Sequence, residues 1–377
     1  MKKNICLIVN TLREGGGIER AVLSLAQSLS KSSYRVDVIV LDKQSNSFSL
    51  DDFNFNLHYI QQTKLPTKFI QSIKQANLLK KKITEIGVRF DLFIANSTYD
   101  ALVCKRANLP NTYYIIHNSL NTQHNQETSA IEFRKQVKGY SIRGICTIII
   151  KKLLYKSFIA SLYSHENLIA VSQGVKQDLL NFGILPKTLR VIHNPFDFSY
   201  IRGLSKSYKV NEENYIVHVG NFTTVKRYDV LINAYHQSGI KQKLLLLGDH
   251  TRESGVVVKQ LISDLNLNNR VVLKGFQPNP FPYIKNAQAL ILSSDQEGFG
   301  MVLVEALILK TPVVSTNCIS GPNEILIDEL QQFLSPIGDS KALARNLKNA
   351  IDNPIKITHK YINRFSGAKV AEQYLSL

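Results

Sequence analysis

The stretch SSDQEGFGMVLVEALILKTPVVSTN, residues 293–317, holds a strand end, a glycine-containing turn, a nearly all-apolar helix and a second strand. A helix that is apolar on every side must be buried, so this passage belongs to a parallel sheet covered by helices on both faces. The helix N-terminus, near Gly298, Phe299 and Gly300, would turn free backbone N–H groups outward. Glycine there lets a bulky anion approach closely, and a diphosphate fits. Glu305 interrupts the apolar run, and an ionised carboxylate inside it needs partners, because burying one unpaired costs several kcal/mol. Glu297 stands just before the helix, about two turns away, so the two acids could grip two separate polyol groups such as a ribose and a sugar. The plain alternative is that Glu297 caps the helix and Glu305 pairs with a buried base such as Lys310.

Outward from this passage the same rhythm fills the chain. Strand candidates in the first half are residues 4–9, 35–41, 57–60, 91–95, 112–116 and 167–171. After the polar connector following HNPFDFSYIRG the rhythm restarts with YIVHVG at 215–220, then LLLLGD, RVVLKG, AQALILSS and PVVSTN. Two doubly wound α/β domains in tandem follow, and ligands of such sheets bind outside the carboxyl ends of the strands.

Composition narrows the class. The chain has 377 residues, with 46 Lys and Arg against 29 Asp and Glu, a formal charge of +17. Its 44% apolar and 20% charged content is that of a folded protein rather than a disordered or fibrous one. The cysteines Cys6, Cys104, Cys146 and Cys318 are far apart, with no zinc spacing, which fits a reducing compartment. The apolar run after Lys2 and Lys3 is shorter than a signal peptide needs, and no uninterrupted apolar stretch reaches the ~20 residues of a membrane span.

Several segments carry a family resemblance: GGIERAVLSLA at 16–26, VSQGVKQDL at 171–179, VIHNPFD at 191–197, VGNFTTVKRYDVLINAY at 219–235, the pair Glu297 and Glu305, and SGPNEIL at 320–326. Nearly the full length resembles family 4 of the retaining glycosyltransferases, of bacterial cell-surface polysaccharide and lipopolysaccharide type. That resemblance implies the GT-B fold: two Rossmann-like domains facing across a cleft, residues 1–198 for the acceptor and 199–359 for the nucleotide-sugar, with a terminal helix in 360–377 crossing back to the first. It implies that Glu305 binds the ribose of a nucleotide-sugar, Glu297 a hydroxyl of the donor sugar, and the backbone at Phe299, Gly300 and Met301 the phosphate and sugar.

Lys226 matches the family's phosphate-binding lysine, which neutralises the diphosphate as the glycosidic bond breaks. Family members commonly place an arginine after the glycine of this strand, whereas here Asn221 follows Gly220, leaving Arg227 as the candidate to compensate. The plain reading of Lys226 and Arg227 is a solvated helix start. His117, after the strand YYII, falls where the family places a histidine facing the donor sugar. His193, His218, His236 and His250 are read as structural.

In the first half, Gly16 and Gly17 follow strand one and could bring backbone donors to the diphosphate. A dinucleotide fingerprint would need Gly or Ala where Arg20 stands, which disfavours a dehydrogenase. Glu19 matches the family's Gly-Gly-x-Glu pattern, yet a helix N-terminal glutamate is favourable without any function.

No D-x-D occurs in the chain, so the expected reaction uses neither metal nor cofactor. An acid-free basic stretch holds Arg134, Lys135, Lys138, Arg143, Lys151, Lys152 and Lys156, and another runs from Lys64 to Lys82. Set among aliphatic residues and without a nucleic-acid-binding motif, these bases suit an anionic membrane surface better than nucleic acid. The alternative is a solvated helix packed down by Ile145, Ile149 and Leu153.

The sequence thus points to a metal-independent glycosyltransferase at the inner face of the cytoplasmic membrane. It would move a hexose or N-acetylhexosamine from a nucleoside diphosphate, with UDP the expected carrier, to a lipid-linked or lipopolysaccharide-type acceptor. Two other readings are a GT-B-type nucleotide-sugar epimerase and a non-catalytic basic binder of membranes or nucleic acids.

Overall fold

The structure is a computed structural model and describes residues 3–13, 16–32, 34–42, 54–60, 68–120, 142–251 and 253–377. It divides into two compact units, Met1–His193 and Asn194–Leu377, so the division falls inside the VIHNPFD passage.

The first unit holds strands β1 (Asn4–Val9), β2 (Arg35–Val40), β3 (Asn56–Tyr59), β4 (Leu92–Ala95), β5 (Thr112–Ile116), β6 (Asn167–Ala170) and β7 (Thr188–Val191). They form one parallel sheet in the order β3-β2-β1-β4-β5-β6-β7. The second unit repeats the plan with β8 (Tyr215–Val219), β9 (Lys243–Leu247), β10 (Val271–Gly275), β11 (Leu290–Leu292), β12 (Val313–Thr316) and β13 (Leu334–Ser335). Their order is β10-β9-β8-β11-β12-β13, again all parallel.

Every strand expected from the apolar runs is present within a residue or a few of its expected bounds. The two not anticipated, β7 and β13, lie at sheet edges. TLRV in β7 alternates exposed and half-buried residues, and β13 has only two, so neither shows the continuous apolar signature of the central strands. Those central strands are sealed: all of β4, β5 and β11 is buried, as is β1 after Asn4.

Strand order decides where ligands can sit. In each sheet the direction of winding reverses once, between β1 and β4 in the first unit and between β8 and β11 in the second. At such a switch point the loops after the two strands diverge and leave a crevice at their carboxyl ends. The loop after β8 carries Gly220 to Arg227, and the loop after β11 carries Ser293 to Gly300.

The helix Ile142–Tyr163 accounts for much of the long interval that lacked strand signals. Arg143, Lys151, Lys152 and Lys156 fall on it, while Lys64, Arg134, Lys135 and Lys138 lie outside the described residues. Leu153, expected to help pack this helix down under the solvated alternative, is instead 61% exposed, and Ile150, Leu154 and Phe158 share its exposure. The final helix, Gly367–Leu375, buries Val370, Ala371 and Tyr374 as their spacing implies, and clusters with the second unit. Just before it, the Phe196 N–H donates to the Phe365 carbonyl at 2.9 Å, and the Gly367 N–H donates to the Phe196 carbonyl at 3.0 Å.

Candidate active site

At the switch point of the second unit the two loops are stitched together. The Asp295 N–H donates to the Val225 carbonyl at 2.9 Å, and the Ser293 hydroxyl donates to the Lys226 carbonyl at 2.6 Å. Arg227 ties the same loops through its side chain. Its guanidinium donates to both oxygens of Asp295 at 3.0 and 2.9 Å and also grips Asp229, and these carboxylates hold its pKa well above the ordinary arginine value. A diphosphate seeking Arg227 would therefore compete with two carboxylates. Arg227 itself takes a left-handed conformation, φ 47°, as the chain passes from the turn Thr224–Lys226 into the helix Tyr228–Ser238. Asn221 is exposed, and its side chain makes no hydrogen bond among the described residues.

This stitching brings Lys226 to Glu297. The ammonium lies 2.6 Å from Glu297 Oε1, with the two side chains only 20% and 12% exposed. The Ser294 hydroxyl donates to the same oxygen at 2.7 Å, and Ser294 is held in turn by the Thr316 hydroxyl on its carbonyl at 2.5 Å. Lys226 is thus no solvated helix start. Glu297 does not cap the following helix either, whose N-cap is Gly300. Lys310 is exposed and makes no ion pair among the described residues, so it is not a buried base for Glu305.

The helix Met301–Ile308 is as buried as its composition demands, and Glu305 within it is 2% exposed. Gly300 enters the helix at φ 88°, a left-handed conformation that β-carbons disfavour. Against this turn packs Gly321 of the SGPNEIL passage, also left-handed at φ 96°. A β-carbon there would lie 1.9 Å from the Phe299 carbonyl oxygen. Phe299 is buried against Phe196 and Phe365, at ring-centroid distances of 6.4 and 5.5 Å. The turn Phe299–Gly300–Met301 is therefore fixed by close contact on one side and aromatic packing on the other. It leads into the first turn of the helix, the end whose dipole favours a bound anion. Together the loops after β8 and β11 gather Lys226, Arg227, Asp295 and Glu297 just ahead of the helix that buries Glu305. Ser294 and Asp295, which position the acid and the loop, went unread in the sequence because a polar run after a strand carries no partner information.

In the first unit the corresponding crevice lies at the ends of β1, β4 and β5. The Asn96 amide donates to the Ile8 carbonyl at 3.1 Å, tying β4 to β1. A pocket here is lined by Ile18, Asn96, Ser97, Thr98, His117 and Tyr163, among others. His117 Nε2 is enclosed and has no hydrogen-bond partner, and burial pushes the imidazole pKa down to about 4, so the ring is neutral at pH 7. Behind it, Asp178 Oδ2 accepts from the Leu120 N–H at 2.7 Å and holds the His117–Leu120 segment.

Gly16 is the N-cap of α1 (Gly17–Lys31), and a β-carbon there would meet Glu19 Oε2 at 1.8 Å, because Glu19 folds back over the turn. Burial raises the Glu19 pKa. The side of Gly16 that a side chain would fill thus already holds a carboxylate, whereas the same side of Gly17 is open. Asp100, on α3 (Thr98–Arg106), is fully buried with neither oxygen in a well-formed hydrogen bond. Burial pushes its pKa up to about 8.

Among the described residues no group of three or more His, Cys, Asp or Glu side chains could hold a metal ion, and no helix is long and apolar enough to cross a membrane.

Comparison with known proteins bears on the family and the fold. A relative from Campylobacter jejuni, N-acetylgalactosamine-N,N'-diacetylbacillosaminyl-diphospho-undecaprenol 4-alpha-N-acetylgalactosaminyltransferase, is 26% identical over 93% of this chain and 90% of its own length. The lipopolysaccharide 1,6-galactosyltransferase of Escherichia coli is 30% identical over 52% of this chain and 55% of its own. Among solved structures, Anabaena HepE in complex with UDP and glucose superposes with a TM-score of 0.75 at 20% identity, covering 99% of this chain and 98% of that one, a likeness that shows the GT-B fold. The model for Glycosyltransferase Family 4 matches residues 15–200, and that for Glycosyl transferases group 1 matches residues 204–366. Between them these models take up nearly the whole chain, which therefore belongs to the glycosyltransferases of family 4 and group 1.

Proposed function

We propose that this glycosyltransferase moves a hexose or N-acetylhexosamine from a nucleoside diphosphate, with UDP as the expected carrier, to a lipid-linked or lipopolysaccharide-type glycan, retaining the anomeric configuration. The observation that carries the reading is the Lys226–Glu297 pair held at the β8/β11 switch point, beside the N-terminus of the helix that buries Glu305. In this reading the diphosphate takes Lys226 from Glu297 and rests on the turn Phe299–Gly300–Met301. Glu297, released, accepts from a sugar hydroxyl, and Glu305 accepts from the ribose. Arg227 and Asn221 flank the diphosphate.

The bond between the anomeric carbon and the phosphate oxygen breaks, and the acceptor oxygen bonds to that carbon on the same face. The acceptor proton passes to the departing phosphate oxygen. Lys226 and the helix N-terminus stabilise the charge that develops there. The protein supplies this charge itself, so the proposed reaction needs no metal. The names of the Campylobacter and Escherichia relatives, one acting on a diphospho-undecaprenol-linked saccharide and one on lipopolysaccharide, support such an acceptor.

A panel of radiolabelled nucleotide-sugars, tested for slow hydrolysis without acceptor, checks this. One UDP-hexose or UDP-N-acetylhexosamine should release labelled sugar with retained configuration. Release of an epimer, or of nothing across the panel, contradicts the reading.

With such an acceptor, we propose that the enzyme works at the cytoplasmic face of the membrane, docked through the helix Ile142–Tyr163. Support comes from its exposed Ile150, Leu153, Leu154 and Phe158 together with its acid-free basic sequence. Vesicles rich in phosphatidylglycerol should co-sediment the protein and neutral vesicles should not. Salt should weaken the binding, because charges beyond a Debye length of about 8 Å are screened at physiological ionic strength. Binding indifferent to salt and to lipid charge would exclude this docking.

A further inference from the structure

His218, structural by its place in the run YIVHVG, has an unusual surrounding. It lies on β8, two residues before Gly220, and is fully buried. Its Nδ1 is 2.8 Å from the Ile291 carbonyl oxygen. A carbonyl can only accept, so Nδ1 carries the proton and Nε2 carries a lone pair. Nε2 is sealed from solvent and has no hydrogen-bond partner. Burial brings the ring's pKa down to about 4, with the Lys226 charge adding in the same direction, so the imidazole is neutral at pH 7.

The position of that lone pair is informative. A β-carbon placed on Gly220 would lie 3.3 Å from His218 Nε2 and 3.5 Å from Lys226 Cε. The bare flank of Gly220 is therefore a narrow slot with the imidazole acceptor on one wall and the Lys226 stem on another. The Tyr228 ring meets the imidazole edge-on at 4.9 Å, and its hydroxyl donates to the Gly220 carbonyl at 2.7 Å, which holds the slot rigid. An acceptor buried without a donor destabilises the fold, a cost that a purely structural ring such as Phe would avoid.

We infer that His218 is a positioning residue for Lys226: when a diphosphate draws the ammonium away from Glu297, Nε2 accepts one of its three hydrogens and fixes the charge against the phosphate. This rests on the proposed function of the site. Lys226 keeps one hydrogen for the imidazole and turns the others to the ligand, so its geometry survives the loss of the carboxylate. Neutrality of the ring is essential, since a second cation beside Lys226 would repel it.

Calorimetric binding to the full chain tests this, with UDP, GDP and ADP each compared against its nucleoside. His218→Asn keeps a donor for the Ile291 carbonyl and removes the acceptor. It should weaken the nucleoside diphosphate about tenfold, the worth of one hydrogen bond to a charged group, and leave the nucleoside unchanged. His218→Gln, which offers an acceptor near the Nε2 position, should recover most of that loss. In a Lys226→Ala background, His218→Asn should cost nothing further. An equal loss for nucleoside and nucleoside diphosphate, or the same loss without Lys226, would overturn the assignment and leave His218 a packing residue. If Lys226→Ala binds the diphosphate as well as the parent does, the reading of the whole site fails, and this proposal falls with it. Should His218→Asn not fold, the 15N resonance of Nε2 in the parent protein decides. Its movement upfield on adding the nucleoside diphosphate supports the bond, and an unchanged resonance refutes it.

Discussion

Lys226→Ala, purified as a folded protein, should transfer sugar at least a hundredfold more slowly than the parent, since removing one preorganised group that stabilises charge in a transition state costs about 10²–10³ in rate. In the proposed reaction the leaving diphosphate gains charge as the bond to the anomeric carbon breaks, and Lys226, paired with Glu297 in the β8/β11 crevice, would stabilise it. Removing it also strands Glu297, which is 12% exposed and would keep only the Ser294 hydroxyl of its two close partners. The variant Lys226→Ala/Glu297→Gln separates these effects: it should recover stability without recovering rate.

Glu305→Gln should act differently. Its effect should appear chiefly as weaker nucleotide binding, by about ten- to a hundredfold, the worth of a hydrogen bond from a ribose hydroxyl to a buried carboxylate. Single-turnover rates and nucleotide affinities measured side by side check both. Near-normal values in both variants would mean that the crevice is not the donor site.

The second large effect concerns stability. Asp100 titrates near 4 when unfolded, whereas burial moves it to about 8 in the folded protein. Between those values the unfolded chain has lost a proton that the folded chain keeps, so stability falls as pH rises from about 4 to about 8. On the alkaline side of that window the cost is on the order of 5 kcal/mol. His117 and His218 act in the opposite sense. Each is protonated near 6.5 when unfolded and only at about 4 when folded, so each adds stability as pH rises through that lower range. The parent should therefore be most stable near pH 6.5 and lose stability toward pH 8. Asp100→Asn, neutral and of the same shape, should remove the alkaline loss, raising the melting temperature at pH 8 by about 10 °C while leaving it nearly unchanged near pH 4. Melting curves across this range decide the matter. A variant that still loses stability between pH 6.5 and 8 would show that Asp100 is not the group responsible.

The strands and the buried helix Met301–Ile308 were legible in the sequence because their cause is local. A run of apolar residues of given length and period needs burial on one face or all faces, whatever lies elsewhere in the chain. The same holds for Gly300, which precedes an apolar helix, and for Glu305, whose charge conflicts with its neighbours. Edge strands β7 and β13 were not legible, since half-exposed residues do not declare themselves by hydrophobicity.

Pairing was beyond the sequence for a different reason. Lys226 and Glu297 are 71 positions apart, and they meet only because strand order places β8 beside β11. The same register turns Arg227 onto Asp295 rather than toward solvent. His218 marks the limit most sharply: in the run YIVHVG it is one residue of a buried strand, and only the folded chain sets its free lone pair beside the stem of Lys226. Local chemistry determined which groups this protein carries into its crevices. The winding of the sheets decided which of them face one another, because contact between distant residues is a property of topology and not of composition.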